Sequence, residues 1–150
     1  MPHIKPKYLH PQHGTGYHGA FLGVAAEALS EDDIVIVTGL DGDRLKFSKA
    51  DSDAANLRLG VMGVVDHACA SGGVVRVVSH KVVTTSIDTS GSTLGAPVYL
   101  DATTPGNHVI SAPTHDVIVG NVIVLHASTG KVLLAPGRCT GAVTSQAWTA

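Results

Sequence analysis

The feature that most constrains this chain is a rhythm of short apolar runs broken by turn-forming residues. From Asp33 onward the sequence reads "DIVIVTG", "GVMGVVDH", "GVVRVV", "KVVTTSI", "APVYLD", "HVIS", "VIVGNVIVLH" and "KVLLA". Between them stand Ser71-Gly72-Gly73, Ser90-Gly91-Ser92, Pro105-Gly106 and Thr129-Gly130. Runs rich in β-branched residues and bounded by Gly, Pro, Ser and Asn are strands closed by turns. No segment of helical length separates one run from the next, so the alternating strand–helix order of a doubly wound sheet is excluded. The expectation is an all-β fold, a small barrel or a sandwich of short strands. With 150 residues and 44% hydrophobic content the chain suits one globular domain, which buries roughly two-thirds of its extended-chain surface on folding.

Local signals sharpen that frame. "DIVIVTG" is a continuous β-branched run closed by Gly39, and Asp41-Gly42 is a hairpin-turn signal. "DRLKFSK" then alternates, placing Leu45 and Phe47 on one face and Arg44, Lys46 and Ser48 on the other. Asp51–Leu57 is a polar connection with room for a helical turn. Residues 20–30, "AFLGVAAEALS", stay open between helix and strand, since the alanines favour one and Gly23 and the short length allow the other. Residues 1–19 hold three prolines, four histidines, two lysines, three glycines and no acid, with no periodicity. They are expected to form an extended N-terminal arm, and residues 20–150 a single β-rich domain. Near the other end, Trp148 is expected to plug against the domain or a neighbour.

Several motifs suggest chemistry and fail on context. "GTGYHG" (Gly14–Gly19) matches G-x-G-x-x-G, but a dinucleotide loop needs a strand running into the first glycine and a helix opening after it. Here the preceding segment carries Pro2, Pro6 and Pro11. His10, His13 and His18 make H-x2-H-x4-H without a cysteine or carboxylate to complete a zinc site. His67, His80, His108, His115 and His126 are scattered over strand ends and loops. Asp41 and Asp43 begin like a calcium loop but lack the downstream glutamate. Lys49 in "SKAD" opens a polar connection and does not sit in the tight hairpin of a lipoyl- or biotinyl-type carrier. There is no G-x-S-x-G nucleophile elbow. No catalytic set, cofactor or metal site is therefore expected. A net charge of −2 and only six aromatic residues do not suit a nucleic-acid partner, and no apolar run reaches membrane-spanning length. The N-terminus lacks the pattern of a secretory signal. Cys69 and Cys139 read as unpaired thiols of a protein folded in a reducing cytoplasm.

From about Ala25 to Pro136 the chain resembles the small capsid decoration, or cement, proteins of tailed phages. The resemblance is carried by an ordered series: "EDDIVIVTG", "KADSDAANLRLGVMGVV", "GGVVRVVSHKVVTT", "LGAPVYLDATTPGNHVISAP" and "VIVGNVIVLHASTGKVLLAPG". It implies a β-rich barrel or sandwich on the outer surface of a virion, made in the host cytoplasm, bound to the major capsid protein and commonly trimeric. It implies no catalysis and no cofactor. A phage tail or fibre module that attaches to host-surface glycans is the alternative expectation; it would need clustered exposed aromatics, and the aromatics here are dispersed.

The arm lies outside that resemblance and is argued from physics. Prolines reduce the entropy lost when an extended segment becomes ordered, and Gly14, Gly16 and Gly19 permit close backbone approach. Lys5, Lys7 and charged histidines favour an acidic surface. The arm is accordingly expected to lie across the capsid or a neighbouring subunit, adding a strand to an exposed edge. The expected capsid or neighbour contacts are Ile4, Lys5, Lys7, Tyr8, Leu9, Tyr17, Phe21 and Trp148.

Overall fold

The computed structural model of the chain describes residues 20–136, and its regular structure there is β throughout apart from one 3₁₀ turn at Ala55–Leu57. Five strands come first: β1 (Ala20–Ala25), β2 (Ile34–Asp41), β3 (Arg44–Lys49), β4 (Met62–Val65) and β5 (Val74–Val78). They close into a barrel in the order β1-β3-β2-β4-β5, with β5 pairing back onto β1. Only β1 and β3 are parallel. Residues 20–30 thus resolve in favour of strand: closing the barrel along β3 and β5 outweighs the helix preference of alanine.

The β2–β3 hairpin follows from its turn. Asp41 and Arg44 are paired, leaving Gly42 and Asp43 as the two central residues. Gly42 has φ +64° and Asp43 is not at positive φ, which is the requirement of a type II′ turn with glycine first. The turn sits one residue further on than Asp41-Gly42 as a central pair would place it.

The barrel interior is small and is filled by Val35, Phe47, Val65, Val75 and Val77, with Ala25 and Leu29 closing it. Phe47 is fully buried, with Phe21 stacked against it at 6.0 Å between ring centroids. Leu45 packs against the same interior, as the alternation in "DRLKFSK" requires. Room for the phenylalanine comes from Gly23, where a Cβ would stand 2.5 Å from both the Leu45 carbonyl oxygen and the Phe47 ring.

The remaining strands form a second, curled sheet: β6 (Lys81–Thr85), β7 (Pro97–Leu100), β8 (His108–Val109), β9 (Ile118–Val124) and β10 (Gly130–Leu134), in the order β6-β10-β9-β7-β8. All its pairings are antiparallel. Register shifts between Lys131 and Val132 and between Val98 and Tyr99 mark the irregularities that bend it. The inner face of this sheet packs on the outside of the barrel. Ile34, Ile36, Met62 and Val64 from the barrel wall share one core with Val83, Val98, Leu100, Val119, Val122, Val132 and Leu134. Strands β2 and β4 are therefore covered on both faces: "IVI" and "MGVV" are buried at every position, whereas burial alternates along β5. Backbone bonds stitch the layers together: Ile34 N–H donates to Gly106 O at 2.8 Å and Gly106 N–H to Ala50 O at 2.7 Å.

Candidate docking face and acid-lined cleft

An antiparallel sheet with one face in water normally alternates apolar and polar residues. The curled sheet does not. Register places Val82 opposite Leu133, Leu133 opposite Asn121, and Asn121 opposite Pro97, all on the face turned away from the core. A neighbouring row sets Tyr99 beside both Val109 and Ile118. Only Asn121, Lys131 and Thr84 interrupt this face with polar groups along the paired strands. Val82 is 51% exposed, and Ile123, Val124 and Leu125 extend the apolar area toward the end of β9. The outer face of the curled sheet is thus more apolar than the solvent face of an antiparallel sheet usually is.

The second feature lies where the sheet curls round. Strands β6 and β8 are its two edges, and they meet through a side-chain bridge: His108 and Thr85, both buried, are 3.1 Å apart between Nε2 and Oγ1. Beside that bridge opens a cleft of about 250 Å³, bounded by Thr84–Ile87 on one edge, Asn107 and His108 on the other, and Glu31, Asp32 and Asp33 from the loop before β2.

The cleft is acidic, with partial compensation. Lys81 Nζ reaches Asp32 at 2.7 Å and Glu31 at 3.0 Å, and Asp66 lies further off at 3.9 Å. Partial burial alone would lower the Lys81 ammonium, but hydrogen bonds to Asp32 and Glu31 outweigh it and its pKa is raised. Asp33 is held above the usual carboxylate range by burial, more strongly than the Ser30 N–H at 2.8 Å and Lys49 at 3.7 Å pull it down. His108 is pushed below the ordinary imidazole value by burial, against the opposing field of Asp32 and Asp101. Asp32 has φ +72°, an uncommon conformation for a residue with a side chain, and it turns the loop so that its carboxylate faces Lys81.

Of the expected contact residues, the structure describes Phe21 alone, and it places this ring against Phe47 at the barrel interior. Ile4, Lys5, Lys7, Tyr8, Leu9, Tyr17 and Trp148 lie outside the described residues, as do the "GTGYHG" stretch, the H-x2-H-x4-H spacing and Cys139. Asp41 and Asp43 belong to the hairpin turn, and Lys49 ends β3 in an ion pair with Asp33. Cys69 is a free thiol. Among the described residues no three His, Cys, Asp or Glu side chains gather as metal ligands. No helix of the described part is long and apolar enough to cross a membrane. Reasoning from sequence missed the cleft. "EDD" stands out as an acidic turn, but nothing local ties it to His108 or Thr85, which come from strands far along the chain.

No known family's sequence profile matches the chain, and no curated protein matches it in sequence. Among solved structures it is similar to the head fiber gp8.5 N base of bacteriophage phi29, with a TM-score of 0.52 and 12% identity. The similarity covers 79% of this chain and 94% of that one. At that identity the likeness is one of fold: the barrel with its companion sheet is an architecture that a phage head fibre base also uses.

Proposed function

We propose that this protein is a non-catalytic structural component of a tailed-phage head, seated on the outer surface of the shell against the major capsid protein. The observation that carries the reading is the fold likeness to a phage head fibre base over nearly all of that base. The apolar outer face of the curled sheet supplies a means of docking, with Tyr99 and Leu133 near its centre. Self-association, as a trimer, belongs to the same proposal. A decoration protein cements the shell in many copies. A second reading, the foot of a head fibre, is favoured by the identity of the structural neighbour.

Co-sedimentation of the full chain with purified heads from a phage lysate of its source tests the proposal. Saturable binding is the expected result, and absence of binding to expanded and unexpanded heads alike overturns it. The stoichiometry at saturation separates the two readings. Occupancy at every local three-fold position marks a cement protein, and a small fixed number per head marks a fibre foot.

A further inference from the structure

We propose that the turn between β9 and β10 is an acid-released latch, closed by the neutral ring of His126 and opened when that ring takes up a proton. This inference is independent of the phage reading. It rests on the surroundings of one nitrogen and on two anchors beside it.

The nitrogen is His126 Nδ1. The backbone N–H groups of Ser128 and Thr129 donate to it at 3.1 and 3.0 Å, and the Thr129 hydroxyl lies 3.0 Å away. A backbone N–H can only donate, so Nδ1 carries no hydrogen and the neutral ring holds its proton on Nε2. Facing a bare lone pair, the Thr129 hydroxyl donates as well. His126 in this way folds the three residues after it back toward its own ring.

A second proton has one place to go, and that place is Nδ1. The imidazolium then points an N–H at two backbone N–H groups that cannot accept, so the contacts that close the turn are lost together. Histidine is the side chain that ordinarily gains its charge in mild acid.

The movement is bounded on both sides. Before the turn, buried Thr89 holds the end of β9. Its hydroxyl is 3.0 Å from Val124 O and 3.1 Å from His126 O and accepts from His126 N–H at 2.9 Å, while its own N–H donates to His126 O at 3.0 Å. None of these bonds uses a ring nitrogen, so acid leaves them in place. After the turn, Gly130 is buried and paired with Thr85, and a Cβ there would run into the Thr89 hydroxyl. Between these fixed points, Ala127, Ser128 and Thr129 are exposed and free to swing out.

Neighbouring charges do not keep the turn shut. Asp88, the one charged residue of the segment 86–92, has its carboxyl held low chiefly by the Ser90 hydroxyl and N–H, with the His126 ring adding to the effect. A carboxylate favours a nearby imidazolium, so Asp88 works with acid and not against it. The one charged residue of β10 is Lys131, paired with Val124. The turn follows directly on Ile123, Val124 and Leu125, the exposed apolar end of β9, so the latch sets a pH-sensitive element at the rim of the sheet's outer face.

The test uses NMR on the full chain and its H126N variant. Asparagine offers an acceptor oxygen in place of Nδ1 and does not titrate. In the parent protein the ring nitrogen shifts are expected to report the Nε2–H tautomer at pH 7.5. Between pH 7.5 and pH 5 the Ser128 and Thr129 amide protons are expected to move upfield with the midpoint of the ring itself, as hydrogen-bonded amides do when released. The Thr89 amide is expected to keep its protection from exchange. In H126N the Ser128 and Thr129 amides are expected to stay put over the same range. An Nδ1–H tautomer at pH 7.5 overturns the proposal. So does a ring that titrates while those two amides stay put, or an equal movement of the amides in H126N.

Discussion

At position 63 there is no room for a methyl group. A Cβ on Gly63 would run into the Val77 side chain inside the barrel and stand 2.9 Å from the Val78 carbonyl oxygen. Since β4 is buried on both faces, neither neighbour has solvent to retreat into. Gly63→Ala is expected to cost about 1–3 kcal/mol, read as a lowered urea midpoint with an unchanged slope. His108 makes a different prediction, because burial holds its imidazole neutral. Above the ordinary value of 6.5 the ring is neutral in folded and unfolded chains alike. As pH falls through 6.5 the unfolded chain binds a proton that the folded chain resists, so stability is lost until the folded value is passed. Asp33 acts oppositely and in a lower window. Its raised pKa contributes stability that is full below 3.8 and fades as pH rises through the folded value. His108→Gln keeps a hydrogen-bonding amide near Thr85 without the titration. Its Tm is expected to fall less than the parent's between pH 7.5 and pH 5.5, measured by calorimetry at both. Phe47 was legible from alternation, since strand periodicity alone turns it inward beside Leu45. His108 was not, because its burial and its partner are set by a strand more than twenty residues away.

Strands of equal apolar character carry unequal weight according to what covers them. Ile36 in β2 is buried between barrel and sheet, whereas Val82 in β6 is half exposed on the docking face. Ile36→Ala is expected to destabilise by about 2–5 kcal/mol, from lost transfer energy and the cavity left behind. Val82→Ala is expected to stay within about 0.5 kcal/mol, both read by chemical denaturation. Nearly every strand was legible as a strand, and so were the 3₁₀ turn after β3 and the hairpin before it. Pairing was another matter. Nothing in "AFLGVA" announces that it runs parallel to β3 and closes a barrel against β5. Nor does the spacing of "KVVTT" reveal that this strand leaves the barrel and becomes the edge of a second sheet. Such facts depend on which non-local edge is free when the strand arrives, and local sequence does not encode that.

For the molecule as a whole, the docking face and the barrel can be perturbed separately. Charges introduced at Tyr99 and Leu133, both on the outer face and only partly exposed, leave the interlayer core untouched. The double variant Tyr99→Lys, Leu133→Glu is expected to reduce head binding at least about tenfold, because charges without partners are desolvated on docking. Its far-UV spectrum and urea midpoint should remain close to the parent's, and co-sedimentation provides the binding measurement. The class of fold was legible from the rhythm of runs and turns. The division into a closed barrel and a curled sheet was not, since both architectures write the same alternation into a chain.

Strands β2 and β4 serve two rooms with one wall. Their inner side chains line the barrel and their outer ones hold the sheet, so two separate cores are built on the same pair of strands. Whatever clamps the sheet from outside therefore firms a compartment it never touches, by the linkage through which any partner of the folded state raises its stability. On the proposed docking, heat resistance recorded at the Phe21–Phe47 stack, on the far side of that wall, becomes a remote gauge of any partner held at Tyr99 and Leu133.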